Sequence, residues 1–147
     1  MKIELATLSD IPELCDLLES LFDQEIEFKS NPELQRKGLK AIIQDKHTGE
    51  ILVVRKEQKI IAMVNLLYTV STFLGSRVGI LEDMVVSKSF RGSGVGSFLL
   101  DKALKFAKEQ GCQRITLLTD RDNLKAHEFY EKHGFNQSEM VVFRKTN

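Results

Sequence analysis

From Ser87 to Leu100 the chain reads Ser-Lys-Ser-Phe-Arg-Gly-Ser-Gly-Val-Gly-Ser-Phe-Leu-Leu, with glycines at alternate positions 92, 94 and 96. An apolar, β-type run (Val78 to Val86) precedes it, and a helical stripe of Phe98, Leu99, Ala103, Phe106 and Ala107 follows. Strand, tight loop and helix in that order demand a layered α/β arrangement. Glycines 92, 94 and 96 keep Cβ atoms out of the turn, so backbone amides can approach a ligand closely. The helix mouth adds N–H groups outside the helical ladder and a positive dipole end. The combination predicts a pyrophosphate cradle over Arg91, Gly92, Ser93, Gly94, Val95, Gly96 and Ser97, with Arg91 supplying a charged contact. It is not a Walker loop, because no lysine follows the glycines. Nor is it a Rossmann fingerprint: the spacing is GxGxG, it stands late in the chain, and an arginine precedes it.

The rest of the chain supplies one domain to carry this loop. With 147 residues, and no repeat or Gly/Ser-rich linker, residues 1–147 are expected to share a single core. Lys+Arg and Asp+Glu balance at 21 each, which removes the basic excess that nucleic-acid binding requires. Cys15 and Cys112 stand far apart and outside any Cys/His cluster, which speaks against a zinc module or disulfide scaffold and suits a reducing cytoplasm. No apolar run reaches the ~20 residues of a membrane helix. The expected location is cytoplasmic, with no nucleic-acid or membrane partner.

Local patterns give the element order. Ile3 and Leu5 alternate with Lys2 and Glu4 as a short strand. Ser9 or Asp10 caps a helix bearing Ile11, Leu14, Leu17, Leu18 and Leu21, with Pro12 in its first turn. Asn31-Pro32 opens a second helix. Ile51 to Arg55, Ile60 to Thr72 and Val78 to Val86 read as three strands of an antiparallel meander. After the glycine loop and its helix, which Gly111 closes, come a short strand Ile115 to Leu118, a helix Asn123 to His133 closed by Gly134, and a last strand Met140 to Arg144. The expected fold class is α/β: a central mixed, mostly antiparallel sheet with helices on both faces.

Arg91-Gly92-x-Gly94-x-Gly96 after an apolar strand resembles the acyl-CoA-binding motif of the GNAT family of N-acetyltransferases. Asn123-Leu-Lys-Ala-His-Glu-Phe-Tyr-Glu-Lys-His-Gly-Phe135 is similar to that family's later motif, and the likeness is dense from Gly79 to Phe135. The resemblance implies a GNAT-like fold and direct transfer of an acetyl group from acetyl-CoA to a primary amine in a ternary complex, with no metal. It implies that the strand before the loop splays from its neighbour and offers backbone groups of Met84, Val85 and Val86 to the pantetheine arm. One of those N–H groups would stabilise the tetrahedral oxyanion. Tyr130 stands at the family's general-acid position. Asn123, seven residues earlier and on the same helix face, either caps its helix or holds the pantetheine.

Leu81-Glu82-Asp83 looks like the polyamine-type branch of the family, in which the Glu position orders a proton-accepting water. Strand alternation places Glu82 and Asp83 on opposite faces. Glu82 is therefore the expected base, with Asp83 as the alternative. Asp23, Glu25 and Glu27 fall where the family's first two helices border the acceptor cleft, and either attract a cationic amine or form a solvated loop. The leading acceptor is a small polyamine-like or amino-acid-like amine. The competing readings are a protein lysine or N-terminal acetyltransferase and a non-catalytic CoA-binding regulatory module. A homodimer is expected from the family's habits. His133 is expected to sit on the helix dipole, and Lys102, Lys105 and Lys108 to form a basic edge that is either a solvated face or a contact for the 3′-phosphate of coenzyme A.

Overall fold

A computed structural model describes residues 1–23 and 30–147. Strand β1 (Lys2–Leu5) leads through a 3-10 turn, Leu8–Asp10, into helix α1 (Ile11–Phe22). That turn is closed reciprocally: the Thr7 amide donates to Asp10 Oδ2 at 2.8 Å, and the Asp10 amide to the Thr7 carbonyl at 3.0 Å. Asp10 then caps α1. Helix α2 (Pro32–Gln44) starts at the Asn31 cap with Pro32 in its first turn, where a missing N–H costs nothing. Strands β2 (Gly49–Lys56), β3 (Lys59–Ser71) and β4 (Ser76–Val86) form the meander. Helix α3 (Val95–Glu109), strand β5 (Ile115–Leu117) and helix α4 (Leu124–Lys132) complete the element order.

The sheet runs β1-β2-β3-β4-β5; the first four strands pair antiparallel and β5 joins β4 in parallel. The expected mixed, mostly antiparallel sheet is therefore present. Its central strands are apolar on both faces because both faces are covered. Leu52, Val54, Ala62, Val64 and Leu66 pack against Leu99, Leu100, Ala103 and Ala107 of α3. Ile51, Val53, Met63 and Val85 pack against Leu14, Leu17 and Leu18 of α1 and Leu39 of α2. Leu99 and Leu14 have no solvent exposure, so truncating either to alanine costs about 2–5 kcal/mol. On this side of the sheet Arg55 ties three segments together. Its Nε donates to Glu4 of β1 at 2.5 Å and its Nη2 to Asp10 at 2.6 Å.

The expected last strand is not there. Met140 to Arg144 has no strand pairing among the described residues, and Met140 and Phe143 are 87% and 93% exposed. A β-prone pattern becomes a strand only where a neighbour offers a ladder. Strand β5 is three residues long and pairs with β4 alone among the described residues.

Candidate active site

The site lies where β4 and β5 part. The parallel ladder joins Gly79 to Ile115, Ile80 to Thr116 and Leu81 to Leu117, and then stops. Strand β4 continues to Val86. From Glu82 onward its β5-side edge carries no strand partner among the described residues, which is the splay expected before the loop. A cleft of about 590 Å³ opens there, reaching from Met84, Val85 and Val86 to Gly92, Gly94 and Ser97, with Tyr130 and Leu21 on its walls.

The loop has the geometry the glycines require. Gly92 and Gly94 take φ of +75° and +87°, the left-handed region that side chains disfavour, and Gly94 is the cap of α3. A Cβ on either would meet no protein atom within 4 Å, so open space lies beside the backbone at both. Gly96 differs: a Cβ there would make ordinary contact at 3.6 Å from the Phe129 ring and 3.7 Å from Val86, so the packing of α3 against α4 and β4 has room for one. The helical ladder of α3 begins with the Phe98 amide donating to Gly94 at 3.0 Å, and the amides of Val95, Gly96 and Ser97 precede it at the mouth of the cleft. Arg91 folds back on β4: its Nε donates to the Val86 carbonyl at 3.0 Å, and its Nη2 lies 3.5 Å from Ser20 Oγ of α1. The Ser93 hydroxyl donates to the Phe90 carbonyl and tightens the turn.

Helix α4 brings Tyr130 across the opening. Its hydroxyl lies 4.0 Å from the Met84 sulfur, and its ring stacks edge-on with Phe129 and Phe135. Burial pushes the Tyr130 phenol above its ordinary value and so keeps its proton in place. Of the two roles open to Asn123, the structure displays the cap: its Oδ1 accepts from the Ala126 amide at 3.2 Å. His133 does more than meet a helix end. Its Nδ1 lies 2.7 Å from Asp101 and its Nε2 3.2 Å from the Ser97 hydroxyl, at the cradle. Ser97 and Asp101 stand one turn apart on the same face of α3, and the packing of α4 on α3 brings His133 to both.

The carboxylates differ from expectation. Asn65 pairs with Glu82 but Met63 with Val85, so β4 advances three residues while β3 advances two. This is a β-bulge. Leu81 and Met84 both pack toward the α3 cluster, leaving Glu82 and Asp83 together between them. The simple alternation that separated the two carboxylates onto opposite faces therefore does not hold. Glu82 is exposed; Asp83 is half-buried, at φ +55°, and accepts from Asn65 Nδ2 at 2.7 Å. Asn65 escaped the sequence reading because it stands inside a long apolar run. Asp23 ends α1 and is exposed, while Glu25 and Glu27 lie outside the described residues. Lys102, Lys105 and Lys108 lie along α3, with the Lys102 ammonium over the Phe98 ring.

Known proteins share this architecture. The family described as "Acetyltransferase (GNAT) family" matches residues 11–135. The chain is 30% identical to an uncharacterized N-acetyltransferase, YhfO, of Bacillus subtilis (strain 168), over 97% of this chain and 94% of that protein. The crystal structure of a transcriptional regulator from Bacillus halodurans C-125 superposes with a TM-score of 0.84 at 27% identity, over 99% of both chains. That of a possible acetyltransferase from Clostridium difficile 630 gives 0.90 at 17% identity, covering 99% of this chain and 97% of that one, a likeness of fold alone.

Proposed function

Because the chain belongs to the acetyltransferase (GNAT) family and is an N-acetyltransferase, we propose that it moves the acetyl group of acetyl-CoA directly onto the primary amine of a small cationic acceptor. The observation that carries this reading is the parting of β4 from β5 beyond Leu81, directly in front of the mouth of α3 and beneath Tyr130. The residues present fit the co-substrate. The left-handed glycines and open space beside Gly92 and Gly94 suit a diphosphate, and the amides from Val95 to Ser97 point their dipoles at it. The bare edge of β4 at Met84 and Val85 suits an amide-bearing arm laid down like an added strand.

Transfer forms a C–N bond and breaks the thioester C–S bond. A backbone N–H of the β4 edge faces the carbonyl oxygen and stabilises its negative charge as the carbon becomes tetrahedral. An ammonium is no nucleophile, so a carboxylate of the bulge, Glu82 or Asp83, takes its proton directly or through water. Tyr130 gives its proton to the departing sulfur, a role that suits a phenol kept protonated by burial. The Leu81-Glu82-Asp83 sequence and exposed Asp23 at the end of α1 support a cationic acceptor. Titration calorimetry with acetyl-CoA, followed by thiol release over a panel of polyamines, amino acids and lysine peptides, tests the reading. Saturable binding with turnover on small amines is expected. Binding without turnover on any acceptor would instead favour a regulatory module, and absence of binding would end the proposal.

A further inference from the structure

Asn65 lies in the middle of β3, 3% exposed, two residues from Met63 and so on the face that α1 and α2 cover. Its Nδ2 donates to Asp83 Oδ2 at 2.7 Å. A carboxylate partner fixes which way the amide points, since an ionised carboxylate only accepts. The other amide atom is therefore the carbonyl Oδ1, which is buried and has no hydrogen-bond donor among the described residues. Such an orphan is less favourable than an apolar group of the same shape, so its retention calls for a partner.

Its neighbour is unusual as well. Among the described residues only Glu57, Gln58 and Asp83 have positive φ without being glycine. Glu57 and Gln58 form the two-residue turn between β2 and β3, where a primed hairpin turn demands that geometry. Asp83 has no turn to explain it; it is held there, inside a strand, by the bulge. Backbone strain of this kind persists where surrounding structure imposes it, and it gathers at functional sites.

We propose that Asn65 Oδ1 and the Asp83 carboxylate form the receiving site for the acceptor nitrogen, a pair of hydrogen-bond acceptors for a primary alkylammonium. The inference rests on the acetyl-transfer reading and deepens it by assigning the base to Asp83 and adding Asn65 to the acceptor side. Asn65 plays two parts. Its NH₂ orients the Asp83 carboxylate and favours the ionised form, and its Oδ1 accepts a second ammonium N–H. Asp83 takes one proton from the ammonium and later returns it to solvent. The freed lone pair forms the C–N bond, leaving a nitrogen with two hydrogens and a positive charge; it releases a second proton to solvent as the C–S bond breaks, and the sulfur takes the Tyr130 proton, which solvent replaces. The layout suits direct attack. Asp83 faces Asn65 on the α1/α2 side of β4, while the next residue, Met84, meets Tyr130 on the α4 side.

The test compares wild type with Asn65→Leu, a near-isosteric change that removes the orphan, and with Asn65→Asp. Three quantities are measured: acetyl-CoA affinity, kcat/KM for the best amine across pH, and calorimetric binding of 1,4-diaminobutane to the CoA-loaded protein. In Asn65→Leu we expect an unchanged melting temperature, unchanged acetyl-CoA affinity and diamine binding weakened roughly tenfold. Amine kcat/KM should fall by about 10- to 100-fold, with its acidic limb moved to higher pH because the Asn65 hydrogen bond to Asp83 is gone. In Asn65→Asp two carboxylates share the site, and the limb should move further. Asn65-dependent diamine binding without acetylation would retain this site while defeating the transfer reading. Turnover and diamine binding that are both indifferent to Asn65→Leu would overturn the site while leaving transfer intact.

Discussion

The Tyr130 hydroxyl stands 4.0 Å from the sulfur of Met84, a residue contributed by a strand 46 positions away in sequence. It spans the opening left where β5 stops pairing with β4. A phenol in that position faces whatever lies along the bare strand edge.

Replacing Tyr130 with phenylalanine removes the proton and keeps the ring contacts with Phe129 and Phe135. We expect kcat to fall about 100-fold with acetyl-CoA affinity unchanged. Because burial raises the phenol above its ordinary 10.0, kcat in the wild type should show no loss from Tyr130 ionisation below that pH. Steady-state kinetics from pH 6 to 10 check both statements, and an unchanged kcat in the variant would remove Tyr130 as the acid.

Gly94 and Gly96 should respond differently to an added methyl. At Gly94 the methyl meets no protein atom but must sit at φ +87°, which costs about 1–2 kcal/mol and places it in the open space of the cradle. Gly94→Ala should therefore weaken acetyl-CoA binding at least tenfold with a small drop in melting temperature. At Gly96 the methyl makes ordinary contact with Phe129, so Gly96→Ala should bind almost normally. Equal losses in the two variants, read by calorimetry, would contradict this division of labour.

His133 joins Asp101 to the Ser97 hydroxyl at the mouth of α3. His133→Ala frees that hydroxyl. The expected signature is a rise of roughly three- to tenfold in KM for acetyl-CoA, with kcat within twofold. A fall in kcat at unchanged KM would mean that His133 acts on the chemistry and not on the cradle.

Arg55 should make stability sensitive to acid. Burial pushes the Asp10 carboxyl up, but hydrogen bonds from Arg55 and the Thr7 amide outweigh it and hold the group below its ordinary 3.8. The stability this contributes is complete above that value and is lost as pH falls through the lower, folded-state one. Arg55→Met should cost about 2 kcal/mol near neutrality and flatten the acid side of the stability curve. Urea melts at pH 3, 4 and 7 measure it; a constant difference at all three would show that the ion pair is not the cause.

Much of the architecture is legible residue by residue. Asn31-Pro32, Gly111 and Gly134 mark helix ends because caps act within one turn, and Gly92 and Gly94 mark the tight loop before α3 because a positive φ favours glycine there. The expected strand at Met140–Arg144 failed for the opposite reason: its residues carry the β pattern, but pairing depends on a neighbour that local pattern does not supply. The same limit hid the carboxylate geometry. Alternation is a local rule, and the bulge that cancels it arises from register between β3 and β4.

The amino-acid order alone determined the elements from β1 to α4 and the glycine-rich loop before α3, since each is written in short-range spacing, while Tyr130 stood out through the likeness of its motif to a family's. Tertiary structure alone decided where β5 leaves β4, that Asn65 meets Asp83 at 2.7 Å, and that His133 reaches Ser97. Those contacts join residues 18 and 36 positions apart. Their geometry is set by how whole strands and helices pack, which no nearest-neighbour pattern encodes.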